Sequence, residues 1–200
     1  MMKLYWAPHT RSLRALWALE ESGLAYERKL IDIRAGAQND PAFKAINPMA
    51  KVPALEDGAA RLAESAAICA YVAEKAPPGL LAPPVGAAER GRYLHWLFFA
   101  SGCIEAAFAQ KFAKFELPPG SAGWGDADRV FNVIEAAVAK GPWLLGERFS
   151  AADVMVGCDM FFAVNMFKLI SGMPAIDAYI ARCLARPAFQ TALKIDSGEV

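Results

Sequence analysis

Polar and charged residues that could bind an anion follow the first apolar run of the sequence. Residues 8–12 separate the run at residues 3–6 from a helical pattern that begins at Leu13. The free N–H groups and the macrodipole of a helix N-terminus favour an anion. Thr10 and Ser12 add hydroxyl donors and Arg11 adds a fixed positive charge, so this loop would stabilise a thiolate, a phosphate or a carboxylate. Ordinary helix capping by Thr10 or Ser12 is the alternative interpretation.

A second segment, Lys51-Val52-Pro53, could bind an extended peptide through its backbone. A cis Val52–Pro53 bond, which X–Pro sequences readily permit, would turn the Val52 N–H and C=O outward to pair with an added strand. The alternative is a trans proline at the start of a strand, with Lys51 as a solvated surface charge.

A third candidate, Glu64-Ser65, opens a predicted helix. The Glu64 carboxylate could accept from an ammonium group, and the Ser65 hydroxyl and N–H could donate to a carboxylate. The pair therefore matches the head group of an α-amino acid, whereas the alternative is a helix cap with an acid in the first turn. Ser150-x-x-Asp153 precedes a later apolar run and is typical of a structural capping box.

The composition restricts the partners of the chain. Among 200 residues, 21 Lys and Arg balance 21 Asp and Glu, so neither nucleic acid nor an acidic membrane is an expected partner. The longest stretch without a charge, residues 76–88, is too short to span a bilayer. Four widely spaced cysteines are expected to be structural, and two histidines without a Cys/His cluster predict no metal site. We expect a soluble, cytoplasmic protein.

The elements that must position these residues fall into two predicted domains. Residues 1–76 give a βαβαββα pattern, which is a four-stranded mixed sheet with helices. The proline- and glycine-rich residues 77–86 are the expected linker. Residues 87–200 show only helical periodicity, and they predict an all-helical domain. The helices predicted in the two domains span residues 13–22, 41–46, 65–75, 89–115, 126–140, 150–170 and 174–186.

In their order and spacing, five segments resemble the cytosolic glutathione S-transferase family, nearest its bacterial, beta-like branch. These segments are residues 3–6, 19–24, 47–55, 64–68 and 143–153. The resemblance covers nearly the whole chain and implies a thioredoxin-like N-terminal domain, an all-helical C-terminal domain and a homodimer. It also implies a detoxifying transferase with glutathione as co-substrate, whose thiolate attacks small hydrophobic electrophiles.

The resemblance also implies roles for individual residues. Val52 matches the position whose backbone holds the cysteinyl unit of glutathione, and Pro53 matches a cis proline. Glu64 and Ser65 match the pair that holds the γ-glutamyl head. Lys51 lies where the family often has a glutamine beside the glycyl carboxylate.

The thiol-activating residue does not transfer from the family. Arg11 stands at the cysteine position of the beta type, His9 stands at the serine position of other classes, and Tyr5 precedes the loop. The hypothesis is that Thr10 or Ser12 donates to the thiolate, assisted by the charge of Arg11 and the helix N-terminus. Lowering a thiol pKa by about two units takes about 2.7 kcal/mol, which a charge-assisted hydrogen bond and a helix end supply together. The alternatives are a glutathione-dependent disulfide reductase and a non-catalytic binding module.

Overall fold

The computed structural model describes residues 1–118 and 120–199 of the chain. In chain order, the strands and helices are β1 (Met2–Trp6), α1 (Ser12–Ser22), β2 (Tyr26–Leu30), α2 (Pro41–Lys44), β3 (Ala54–Asp57), β4 (Ala60–Leu62), α3 (Ser65–Lys75), α4 (Glu89–Phe99), α5 (Glu105–Ala113), α6 (Ala127–Val138), α7 (Ala151–Phe161), α8 (Pro174–Leu184) and α9 (Pro187–Ser197). They form two compact units. The first unit is Met1–Leu81 together with the segment that begins at Arg186, and the second is Ala82–Ala185.

The first unit is built on a four-stranded mixed sheet with strand order β2-β1-β3-β4. β1 and β2 are parallel, with Met2 opposite Tyr26, because α1 makes the crossover between them. β3 runs antiparallel to β1, and β4 returns beside β3 after a turn at Gly58 with φ +60°. The predicted thioredoxin-like βαβαββα order is confirmed.

The loop at residues 8–11 connects the carboxyl end of β1 to the start of α1. α1 begins at Ser12 and ends before Gly23, whose left-handed φ of 67° suits a residue without Cβ. Its apolar side chains are almost completely inaccessible to solvent: Leu13, Leu16, Trp17 and Leu19. Burial of this stripe holds the start of α1, and with it the loop, in a fixed position.

The last helix, α9, belongs to the first unit. The expectation was that it would be part of the all-helical domain over residues 87–200. Phe189 of α9 stacks on Trp17 of α1 with ring centroids 4.1 Å apart. Arg186 donates to both carboxylate oxygens of Glu21, and Trp17 Nε1 donates to the same carboxylate at 2.8 Å. Two buried aromatic rings and a bidentate ion pair thus bind α9 to α1. The boundary between the units, after Leu81, lies within the segment expected as the linker.

The second unit is helical apart from turns and two isolated β-bridges in its described part. The predicted helix over residues 89–115 is α4 and α5 joined by a π-helical turn at Ala100–Ile104. A second π-helical turn, Phe162–Met166, extends α7. Ser150 and Asp153 form the predicted capping box at the start of α7. Among the helices that the structure describes, none is long and apolar enough to cross a membrane.

Candidate functional site

A cleft of about 550 Å³ lies in the first unit. Its volume is within the range of about 300–1,000 Å³ that is usual for small-molecule sites. All of the predicted site residues except Ser12 line it: Thr10, Arg11, Lys51, Val52, Pro53, Glu64 and Ser65. His9, which stands at the serine position of other classes, also lines the cleft. The sequence analysis did not predict the remaining lining residues: Ile33, Gln38, Asn47 and Ala50.

Sheet topology explains why segments far apart in sequence meet at this cleft. The carboxyl end of β1 lies beside the amino end of the antiparallel β3, where Tyr5 pairs with Ala54. β4 is antiparallel to β3, so its carboxyl end, at Leu62, pairs with Leu55 near the same edge. The loop before α1, the loop before β3 and the start of α3 therefore converge on one edge of the sheet.

The loop before β3 presents Lys51 and Val52 to the cleft. The Val52–Pro53 peptide bond is cis, as the family resemblance implied. Val52 packs against a buried cluster that includes Phe43. The buried Asn47 side chain spans the turn, because its Nδ2 donates to the Lys51 carbonyl at 2.7 Å.

The start of α3 contributes a carboxylate and a hydroxyl to the cleft. Glu64 precedes the helix with φ 66° and ψ 118°, and its side chain makes no capping hydrogen bond. The geometry of Glu64 therefore does not support the helix-cap alternative. Ser65, the first helical residue, is buried and lines the cleft.

Strained backbone is concentrated at this cleft. Of the five non-glycine residues with positive φ in the described part of the chain, three line it: His9, Ala50 and Glu64. Such conformations cost about 1–3 kcal/mol each and tend to cluster at functional sites. The cleft combines two cations, Arg11 and Lys51, with one carboxylate, that of Glu64.

Comparison with known proteins identifies the family. A family model described as "Glutathione S-transferase, N-terminal domain" matches residues 1–74, and one described as "Glutathione S-transferase, C-terminal domain" matches residues 105–182. Glutathione S-transferase 1 of Zea mays is 30% identical to this chain over 94% of each protein. The chain belongs to the glutathione S-transferase family.

Two further proteins extend the comparison of this glutathione S-transferase. Disulfide-bond oxidoreductase YfcG of Escherichia coli strain K12 is 29% identical over 100% of this chain and 98% of its own length. A crystal structure of a glutathione transferase from Burkholderia graminis, with two glutathione molecules bound per subunit, superposes with a TM-score of 0.81. It is 28% identical and covers 96% of this chain and 87% of its own.

The position of Ser12 in this glutathione S-transferase corrects one expectation. Ser12 is fully buried, and its Oγ accepts the Ala7 N–H at 3.4 Å. The Thr10 hydroxyl donates to the Ala7 carbonyl at 2.7 Å, and its Oγ1 lies 2.9 Å from Ser12 Oγ. Since a carbonyl oxygen only accepts, the Thr10 proton lies on that bond and Ser12 donates to Thr10. Both hydroxyl protons stay within the loop, so neither Thr10 nor Ser12 is positioned to donate to a thiolate.

Tyr5 is the tyrosine nearest to the loop in sequence. Its hydroxyl donates to the Glu56 carboxylate. Burial and this hydrogen bond raise the pKa of Tyr5 to about 12. The phenol does not line the cleft. A tyrosine held in this way is bound to the sheet and does not face a ligand.

Other residues at the cleft carried weak signals or none in the sequence. Ile33 and Gln38 come from the connection between β2 and α2, where Gln38 lies in a short 3-10 helix, Ala37–Asn39, that no motif predicts. Asn47 lies within a segment that resembles the family, yet its type alone indicated only a turn before Pro48. His9 is the exception, because its place in the loop already marked it as a candidate.

Proposed function

We propose that this glutathione S-transferase binds glutathione in the cleft and conjugates it to small hydrophobic electrophiles. The observation that carries the proposal is the convergence of a carboxylate, a hydroxyl at a helix start and two cations on one edge of the sheet. The glutathione molecules bound to the Burkholderia graminis relative support the same ligand. The family resemblance supports a cytoplasmic homodimer.

The charges of the cleft complement those of glutathione. The Glu64 carboxylate would accept from the γ-glutamyl ammonium, and Ser65 at the start of α3 would donate to the neighbouring carboxylate. Lys51 would bind the glycyl carboxylate. The backbone of Val52 would pair with the cysteinyl unit as a short added strand, which directs the sulfur towards Arg11 and the start of α1.

The reaction requires a thiolate. A free thiol has a pKa near 8.5, so only a few per cent is ionised at neutral pH. The guanidinium of Arg11 and the start of α1 would stabilise the anion relative to the neutral thiol. The sulfur electron pair then forms the carbon–sulfur bond while the leaving group departs with its own electron pair.

Binding and thiol ionisation together test this function. We expect the wild-type protein to be retained on immobilised glutathione, to show ultraviolet thiolate absorbance on mixing, and to conjugate chlorodinitrobenzene. Replacing Glu64→Gln and Ser65→Ala together should weaken glutathione binding about 10- to 100-fold through lost charge-assisted hydrogen bonds. Glu147→Gln, which changes an exposed carboxylate in the second unit, is the matched control. A wild-type protein that neither binds glutathione nor ionises its thiol would exclude the proposal.

A second candidate is glutathione-dependent reduction of disulfides, and the likeness to the disulfide-bond oxidoreductase of Escherichia coli favours it. No cysteine is among the residues that line the described cleft, so bound glutathione would supply the attacking sulfur. That sulfur would form a bond to one sulfur of the substrate disulfide, and the other sulfur would leave as a thiolate. Turnover of a glutathione mixed disulfide without conjugation of chlorodinitrobenzene selects this activity.

A further inference from the structure

A carboxylate on the last helix contacts the loop that faces the cleft. The His9 N–H lies 3.1 Å from each carboxylate oxygen of Asp196, and His9 Nδ1 lies 3.4 Å from its Oδ2. The Asp196 side chain is only 7% exposed, whereas the His9 side chain is 62% exposed. One buried carboxylate therefore holds both the backbone and the ring of His9.

The placement of Asp196 is unfavourable for stability by itself. It lies in the last turn of α9, where the helix macrodipole opposes a negative charge. Burial raises the pKa of Asp196, and the contacts from His9 offset this only in part. His9 in turn adopts a left-handed φ of 56°, which disfavours a residue with a Cβ. Two unfavourable features that fit each other indicate a functional contact rather than a packing contact.

We propose that His9 is the catalytic residue that activates the thiol and that Asp196 is its positioning residue. This inference rests on the proposed function, since it requires glutathione in the cleft. Nδ1 faces the carboxylate and carries the ring proton, which leaves Nε2 of this largely exposed side chain as an acceptor.

In the proposed step, the thiol proton of glutathione passes to His9. The sulfur–hydrogen bond of glutathione breaks, a nitrogen–hydrogen bond forms at His9 Nε2, and the electron pair remains on sulfur. The Asp196 carboxylate balances the charge of the imidazolium. When the sulfur attacks the electrophilic carbon, the leaving group departs with its electron pair, and the imidazolium proton passes to it or to water.

The other groups in the loop are less suited to accept this proton. Ser12 is buried, the Thr10 oxygen already accepts from the Ser12 N–H at 3.2 Å, and the guanidinium of Arg11 carries donors only. Arg11 remains suited to stabilise the thiolate once it has formed. Lys51 and Glu64, the charged groups that face the cleft from the other two segments, are of opposite sign.

His9→Asn tests the catalytic role. Asparagine tolerates a left-handed backbone and can donate to Asp196 near the position of Nδ1, but it has no counterpart of Nε2. We expect unchanged glutathione affinity by calorimetry, loss of the thiolate absorbance, and a fall in kcat on the order of 100-fold or more. His95→Asn replaces the second histidine, which contacts Trp96 in α4, and should change none of these quantities.

Asp196→Asn tests the positioning role. The amide keeps an acceptor for the His9 N–H and removes the buried charge, so we expect an equal or higher Tm, an unchanged KM for glutathione and a lower kcat. A His9→Asn protein that retains the thiolate and its kcat would overturn the proposal. An Asp196→Asn protein that is less stable but fully active per folded molecule would reduce Asp196 to a structural residue. Failure of the wild-type protein to bind glutathione would instead exclude the proposed function.

Discussion

The side-chain amide of Asn47 donates a 2.7 Å hydrogen bond to the carbonyl oxygen of Lys51. Its Oδ1 accepts the Met49 N–H at 3.1 Å, and the side chain is almost completely buried. One residue thus closes the turn that leads into the cis Val52–Pro53 bond. The position of Lys51 in the cleft therefore depends on the hydrogen bonds of the Asn47 side chain.

Asn47→Ala should weaken glutathione binding without removing the reacting groups. The Lys51 carbonyl loses its donor and the Met49 N–H loses its acceptor, and each such hydrogen bond contributes about 0.5–1.5 kcal/mol. We expect a higher dissociation constant for glutathione by calorimetry and a kcat near that of the wild-type protein at saturation. Asn165→Ala, at an exposed position in the second unit, is the control. An unchanged dissociation constant in a folded Asn47→Ala protein would contradict this role.

Ser12→Ala should lower stability and leave thiol activation intact. The change removes the acceptor of the buried Ala7 N–H and the donor to Thr10, so we expect a loss of about 1–3 kcal/mol in the free energy of unfolding. The thiolate absorbance per folded molecule should equal that of the wild-type protein. The opposite pattern, with normal stability and no thiolate, would make Ser12 the activating residue after all.

Local signals were sufficient to predict most of the fold. Gly23 ends α1 because its left-handed φ suits glycine, and Gly58 allows the tight turn between β3 and β4. The place of α9 in the first unit had no such signal. It depends on the stacking of Phe189 on Trp17 and on the ion pair between Arg186 and Glu21. Both are contacts between residues that are far apart in sequence.

The candidate site was predictable where residue type and spacing carry the chemistry. Glu64 and Ser65 follow this rule, because a carboxylate and a hydroxyl at a helix start suit an amino acid head group wherever the helix lies. Ser12 does not, because burial and competing hydrogen bonds decide whether a hydroxyl proton is available. The contact of His9 with Asp196 depends on the position of α9, so a local sequence pattern cannot predict it.

Tyr5→Phe should not affect thiol activation. The phenol donates to Glu56 and its pKa is raised to about 12, so it neither faces the cleft nor ionises at neutral pH. We expect an unchanged kcat for conjugation and a loss of about 1 kcal/mol in stability, because one part-buried hydrogen bond is removed. Tyr71→Phe, which removes the hydroxyl bound to Asp57, is the matched control. A large fall in kcat for Tyr5→Phe alone would assign the activation to this residue.

The capping carboxylate of Asp153 has four donors. It accepts from Leu144 N at 2.8 Å, from Ser150 N at 2.9 Å and from the hydroxyl groups of Ser150 and Tyr179. Each carboxylate oxygen accepts from two of these donors, and Asp153→Asn replaces one of the two oxygens with an NH2 group. We therefore expect the variant to be about 1–3 kcal/mol less stable than the wild-type protein at neutral pH, as measured by urea unfolding.

The same carboxyl group should make this difference depend on pH. Burial raises the pKa of Asp153 from 3.8 to about 6, although its hydrogen bonds oppose the shift. Between pH 3.8 and about 6, the folded state therefore holds a proton that the unfolded state releases. The protonated Asp153 contributes fully to stability below pH 3.8, and this contribution declines as the pH rises to about 6. The advantage of the wild-type protein over Asp153→Asn should accordingly shrink between pH 4 and pH 6 and stay constant above. Tyr179→Phe removes one donor to the carboxylate, so it should move the decline to higher pH. An advantage that grows over this range would mean that the hydrogen bonds outweigh burial.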